Sequence, residues 1–376
     1  MNDSELLPYL NEVIVRHRDV IEAHAYINNI QKIKNLSFVS HIDVPMLIES
    51  YKGLNNPCPL LGSLNIKCPS NGGKGINMVV ADMQFYSNDL TKTVIPDNTT
   101  FEMRHSYSSD QVHGTACSEV IAQIVPEVKL YQIFAGNTPL QFLDAIYNIE
   151  KLGDKIDVIS CSCGFPIGPG LFNVRDDLYY AIKNLTSNGT IWVNSAGNDA
   201  ECHWSGSFND PDMNGFNNFS DSDESINITL NRGDDLKVFL TWNDWPDPNY
   251  GNSTQDYALW VLGPTESDMR VADDPQTGRR NDFPQEICYL PISHSGIYQI
   301  LIEKKSSNAS NAQFHLFVES DTTNIRLDEY AVANGSLNSV ACFDNVITVG
   351  AINSTSNEIM PYSSRGPTSD GRIKPD

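Results

Sequence analysis

Two kinds of apolar pattern alternate along residues 73 to about 200. Ile76–Ala81, Lys129–Phe134, Asp157–Ser160 and Ile191–Ser195 are short apolar runs that read as buried strands. Leu140–Lys151 and Val174–Leu185 repeat apolar residues at helical spacing and read as helices. Strands separated by helices predict βαβ units and a parallel sheet, with functional groups at the carboxyl ends of the strands.

The pattern changes near residue 201. Up to about 335 the helical period is lost, and short alternating runs take over: Leu236/Val238/Leu240, Tyr298/Ile300/Ile302 and Phe314/Leu316/Val318. Clusters of Gly, Pro, Asp and Asn separate them, which predicts a β-sandwich of jelly-roll-like type. Asn345–Gly350 then returns to an apolar strand of the earlier kind, so the sandwich reads as an insertion. Ahead of all this, residues 1–70 carry a strand-like Val20–Ala25, a helix-like Ile27–Lys34 and a strand-like Phe38–Ile42. The expected organisation is an N-terminal segment (1–70), an α/β region (71–200), an inserted sandwich (201–335) and a return to the α/β region (336–376).

A length of 376 residues is enough for two or three domains. The 47 acidic residues outnumber 25 basic ones, a formal charge of −22. That argues against a nucleic acid or an anionic membrane as partner, since both need a basic footprint. No apolar run is long enough to span a bilayer, and the start MNDSELLPYL has no signal-peptide pattern. The eight cysteines show no CxxC spacing for zinc, and Cys161-Ser-Cys163 reads as small residues at a strand end. Asn-x-Ser/Thr sequons, at Asn35, Asn98, Asn227 and Asn308 among others, favour an extracellular setting only weakly in so Asn-rich a chain.

Three segments carry residues suited to nucleophilic hydrolysis, which needs a base, an acid to orient it and donors for a developing oxyanion. Asp82 follows the apolar run Ile76–Ala81, placing a carboxylate at a strand end. His113 opens His113-Gly-Thr-Ala116, whose glycine lets a helix begin close to the sheet. Ser195-Ala-Gly-Asn198 puts a neutral amide donor at another strand end. Taken singly, each has a plainer reading: a turn or cap aspartate, a helix start, a common turn.

Taken in order, they resemble a known family. Gly73-Lys-Gly-Ile-Asn-Met-Val-Val-Ala-Asp82 is similar to the aspartate segment of the subtilisin-like serine peptidases, and His113-Gly-Thr-Ala116 to their histidine motif, 31 residues further on. Asp157-Val-Ile-Ser-Cys-Ser-Cys-Gly164 resembles the strand and SxG turn at the substrate cleft, and Ser195-Ala-Gly-Asn198 the oxyanion-hole motif. Val346–Ala351, Tyr362-Ser-Ser-Arg-Gly-Pro367 and Arg372-Ile-Lys-Pro-Asp376 resemble the approach to the catalytic serine.

The resemblance implies that Asp82 orients the imidazole, that His113 is general base and then general acid, and that Asn198 donates to the oxyanion. It implies that Ser162, Cys163 and Gly164 pair with and flank a protein or peptide substrate, and that catalysis needs no cofactor. Met83 and Gln84 stand where the family usually has a small residue and glycine, which puts a reshaped turn at Asp82. The family's serine lies in a G-T-S-x-A-x-P motif after KPD, and the sequence given ends at Asp376. Ser363 and Ser364 belong to the SSRGP strand and are not nominated. The chain as written is therefore expected to be inactive and to be a fragment. The N-terminal segment is similar to the last part of a subtilase propeptide, and the family is mostly secreted or cell-surface.

Asp210-Pro-Asp212-Met-Asn214-Gly215 resembles the opening of a calcium loop, with Asp221 at its twelfth position; an Asx-rich turn is the plainer alternative. Trp242, Trp245 and Trp260 read as sandwich core or as a sugar platform, and His105, His203, His294 and His315 have no partner pattern. Two other function classes stay open: a non-catalytic pseudo-peptidase that keeps the cleft, and a binding or adhesion protein working through the sandwich.

Overall fold

A computed structural model describes residues 3–18, 20–40, 42, 49–50, 70–83, 85, 100–104, 113–165, 173–246, 251–280, 282–309, 312–353 and 355–376. Gln84 and His105 lie outside the described residues. The chain divides into two units, one of residues 1–61, 65–163 and 177–192, the other of 62–64, 164–176 and 193–376.

The first unit is built on parallel strands. Thr100–Arg104 pairs with Lys129–Phe134, which pairs with Asn77–Asp82, which pairs with Val158–Cys161. Ile191 N–H donates to Asp157 O at 2.8 Å, bringing in the chain at Ile191–Trp192 beside them. In Asn77–Asp82 the residues Val79, Val80 and Ala81 are fully buried. That is what a parallel sheet covered on both faces requires. The helix His113–Ile124 packs Cys117 and Ile121, together with Val125 just after it, against Val80, Phe85, Val128 and Leu130. The helix Pro139–Glu150 starts at Thr138, whose side chain accepts from Gln141 N–H, and buries Leu140, Phe142, Leu143, Ile146 and Ile149. Asn173–Ser187 is a third helix. The strands and helices predicted for this region are all present, shifted by a residue or two at their ends.

The N-terminal segment departs from its expected order. Val20–Ala25 is a strand and Ile27–Lys34 a helix, but the partner of the strand is Leu10–His17, joined in an antiparallel hairpin. The described residues of Phe38–Ile42 (38–40 and 42) are not in a strand: Val39 N–H turns back to Leu36 O at 3.0 Å, a local turn bond that takes a donor a strand would need. The short strand Glu49–Ser50 pairs with Cys163–Gly164.

The second unit holds two four-stranded antiparallel sheets. One has the order His203–Ser207, Gln313–Glu319, Asp235–Trp242, Gln285–Pro291; the other Ile226–Leu230, Gly296–Lys304, Tyr257–Leu262, Arg270–Ala272. Inward residues of both sheets share one core, with Val238, Leu240 and Phe314 from one and Ile228, Leu259 and Ile300 from the other. This is the predicted sandwich. Trp242 belongs to that core, Trp260 bonds Glu303 through its indole N–H at 2.9 Å, and Trp245 lies against Phe283. The same unit carries Ile347–Val349, parallel to Val193–Ser195.

Phe314 is the hub of the sandwich core. Its ring lies 4.9 Å from Tyr257, 6.3 Å from Trp242 and 6.3 Å from Phe208. Phe314→Ala is expected to cost about 3–5 kcal/mol, the range for truncating a fully buried aromatic side chain. Urea unfolding checks it, and a cost below about 1 kcal/mol would mean that the core is not built on this ring.

Candidate active site

Asp82 ends the central parallel strand and is completely buried. One carboxylate oxygen accepts from the Met83 backbone N–H at 2.8 Å, and the other lies 2.8 Å from Nδ1 of His113. The turn after Asp82 thus supplies a donor to the carboxylate with Met83 where a small residue was the expected pattern. Both of its oxygens are held, so the carboxylate has a fixed direction.

His113 is the first residue of the helix that packs on this sheet, and its side chain is only 10% exposed. Gly114 explains how it comes so close. A Cβ at this position would stand 2.7 Å from Asp82 Cβ and 2.6 Å from the Phe85 ring, so no larger residue fits without moving the helix. Burial works against a charge on the His113 ring. The hydrogen bond to Asp82, with Cys117 as second partner, outweighs that penalty and raises its pKa above the usual histidine range.

Cys117 sits one helical turn below His113, with Sγ 3.9 Å from Nδ1 and 4.0 Å from Ser162 Oγ. Sequence reasoning passed it over; the spacing of four from a candidate base on a predicted helix was the signal available. Cys161 and Cys163 are buried with sulfurs 3.2 Å apart, and the hydrogen bond between them together with burial pushes the Cys163 thiol well up. A thiol so held stays protonated, as the plain strand-end reading of this pair requires.

The second unit contains the Ser195–Asn198 loop. Ala196 N–H donates to Val349 O at 2.9 Å, and the Asn338 amide donates to Ser195 O at 2.7 Å. Ser364 fastens the turn: its N–H reaches Gly197 O at 2.9 Å and its Oγ accepts from Asp199 N–H at 2.9 Å. Gly197 has φ of +114°, and a Cβ there would meet Asp199 Oδ2 at 2.6 Å and Ser364 Oγ at 2.7 Å. Glycine is the residue that meets both conditions. Asn198 is half-buried at the end of this loop. Asn338 and Ser364 are therefore loop-holding residues that the sequence motifs alone did not single out. Lys374-Pro375-Asp376 is pinned to the neighbouring strand, with Asp376 N–H on Thr348 O at 3.0 Å and Thr348 N–H on the Asp376 carboxylate at 2.7 Å.

The subtilase family model (Peptidase S8) matches residues 22–229 and 293–376, well over half of the sequence. The chain belongs to the subtilase family. Among solved structures this subtilase is similar to the CspB protease of Clostridium perfringens, with 15% identity and a TM-score of 0.54 over 84% of this chain and 79% of that one. That likeness establishes the fold. The chain is also similar to the epidermin leader peptide processing serine protease (EpiP, S393A mutant) of Staphylococcus aureus, at 16% identity and a TM-score of 0.33, over 53% of this chain and 58% of that one. It has no match among curated proteins. No helix among the described residues of this subtilase is long and apolar enough to cross a membrane.

The acidic loop of the subtilase is organised by its own hydrogen bonds. Asp210 accepts from the N–H groups of Asn214 and Gly215 at 3.0 and 3.1 Å, and the Asn214 amide reaches Asp212 at 3.0 Å. Asp221 lies exposed in the turn that follows. His203 and His315, left without a partner pattern in the sequence, face each other inside the second unit at 3.0 Å.

Proposed function

We propose that this subtilase is a serine endopeptidase in which Asp82 and His113 are the orienting acid and the base. The observation that carries the reading is the 2.8 Å bond from His113 Nδ1 to a fully buried carboxylate at the end of a parallel strand. With the Nδ1 proton given to Asp82, Nε2 is the nitrogen left for proton transfer. In the reaction Nε2 takes the serine hydroxyl proton as Oγ attacks the peptide carbonyl. The imidazolium, stabilised by Asp82, returns that proton to the leaving amine, and an acyl-enzyme is left for water to hydrolyse. Asn198 is the side-chain donor to the tetrahedral oxyanion, a contribution of about 10²–10³ in turnover. The serine is assigned to the polypeptide that follows Lys374-Pro375-Asp376.

Ser162, Cys163 and Gly164 are assigned to the substrate backbone. Residues 1–70 are proposed as a propeptide-like segment, a reading supported by the pairing of Glu49–Ser50 with Cys163–Gly164, the strand expected to receive substrate. The substrate class is protein or peptide, and the proposed setting is extracellular or cell-surface. The test is the gene past codon 376 and the protein it encodes: a G-T-S-x-A-x-P motif and peptide hydrolysis support the reading, and an open frame without that motif contradicts it. A calcium ion at Asp210, Asp212, Asn214 and Asp221 is a separate proposal, structural and outside catalysis. Calorimetric heat with calcium that Asp212→Asn abolishes supports it; no heat, with no rise in melting temperature, removes it.

A further inference from the structure

We propose that His203 and His315 form an acid-released clasp on residues 332–338, the stretch that leads from the sandwich back to the loop of residues 195–198. The two rings face each other with His203 Nε2 3.0 Å from His315 Nδ1, and His203 Nδ1 lies 2.6 Å from the Val332 carbonyl oxygen. A carbonyl only accepts, so Nδ1 of His203 carries the proton and Nε2 is left as an acceptor. His315 then donates from its own Nδ1. The closed pair thus has one arrangement of protons, with both rings neutral. A proton added to His203 Nε2 turns that acceptor into a donor and sets N–H against N–H inside the fold.

The surroundings do nothing to stabilise such a charge. His203 is completely buried on the strand His203–Ser207, with the Phe317 ring 4.5 Å away. Ser205 and Thr241 stand opposite His315 on the neighbouring strands. Gly335 closes over the pair, where a Cβ would come within 3.1 Å of the His315 ring. Among the described residues no carboxylate or ammonium bears on either ring. Burial and the charge of His315 hold His203 down to about 3, and burial lowers His315.

The returning segment is fastened at both ends. Val332 N–H donates to His203 O at 2.7 Å, Ser336 N–H reaches Arg365 O at 3.0 Å, and Asn338 N–H reaches Ala196 O at 3.0 Å. Opening the clasp frees one end of a segment whose other end holds the loop of Asn198. Loosened oxyanion donation in acid follows, and that consequence rests on the peptidase reading; the clasp itself does not.

A freed imidazole takes up its proton near pH 6.5, while the closed pair resists until far lower pH. Between about pH 6 and 4 each opening therefore binds a proton, and the opening constant rises about tenfold per pH unit for each ring released. Hydrogen exchange of the Val332 amide in the full chain reads this as a protection factor, corrected for the intrinsic exchange rate. Activity is not the readout, because protonation of His113 removes it too. Protection is expected to fall at least about tenfold per pH unit, and in His203→Gln, which has no imidazole to charge, the slope is expected to be about tenfold per unit shallower. NMR of the wild-type rings needs no variant and is expected to show His203 protonated at Nδ1 and still neutral at pH 5. Protection at Val332 that does not change with pH would overturn the proposal, as would an equal slope in His203→Gln. A His203 ring that is charged at pH 5 in the folded chain, or that carries its proton on Nε2, would overturn it as well.

Discussion

In a longer form of the protein that carries the proposed serine, His113→Ala is expected to lower kcat by about a million-fold while leaving KM within a few-fold. The size is that known for loss of the histidine in subtilisin, carried over to this relative. The physical argument is local. A serine hydroxyl at neutral pH is a poor nucleophile, and the group that takes its proton must be within hydrogen-bond reach and correctly directed. His113 is directed by a 2.8 Å bond to Asp82 and by a helix start that Gly114 allows to press on the sheet. Alanine removes the base and also one of the two groups that hold the buried Asp82 carboxylate, so the variant is expected to lose stability as well, and kinetics are read on its folded fraction. Steady-state kinetics on a peptide substrate checks it. A loss below about a hundred-fold would mean that another group supplies the base.

Asp82→Asn is expected to lower kcat by about thirty-thousand-fold, again the magnitude from subtilisin. Asparagine keeps the size of the side chain but can present an N–H to His113 Nδ1, which favours the opposite tautomer and removes the charge that stabilises the imidazolium. The same substitution should lower the His113 pKa. Burial alone depresses it, and Asp82 is the main group holding it up. The sign for stability follows. A histidine whose folded pKa is raised contributes stability fully below its unfolded value of about 6.5, and that contribution is lost as pH rises through the raised folded value. Asp82→Asn should therefore destabilise the fold most at mildly acidic pH, where the imidazolium is present and its partner is gone. An NMR titration of His113 in both proteins reads the shift, and an unchanged His113 pKa in Asp82→Asn would contradict the pairing.

Much of the parallel sheet was legible because its central strands are continuous apolar runs, and the sandwich because Leu236/Val238/Leu240 and Phe314/Leu316/Val318 alternate against a shared core. The Asp82 and His113 positions were legible as a strand end and a helix start. What was missed has identifiable causes. Leu10–His17 is a strand mostly exposed along its length, so no period-2 burial pattern marks it. Thr100–Arg104 pairs with Lys129–Phe134 and carries Thr100, Glu102 and Arg104 at alternate positions, so it lacks the apolar run of the central strands. Phe38–Ile42 has strand-like composition, yet a turn bond from Val39 to Leu36 takes a donor there. Cys117, Asn338 and Ser364 gain their meaning only from what folding brings beside them, which no local pattern records.

The central claim is that Asp82 and His113 activate a serine that follows Asp376. A fluorophosphonate probe, which labels only an activated serine, tests it most directly in the protein carried through that segment, with the adduct located by mass spectrometry. The account predicts a single adduct on the serine of a G-T-S motif after Asp376, lost in His113→Ala. A folded protein that forms no adduct with Asp82 and His113 intact, or an adduct that survives His113→Ala, would contradict it.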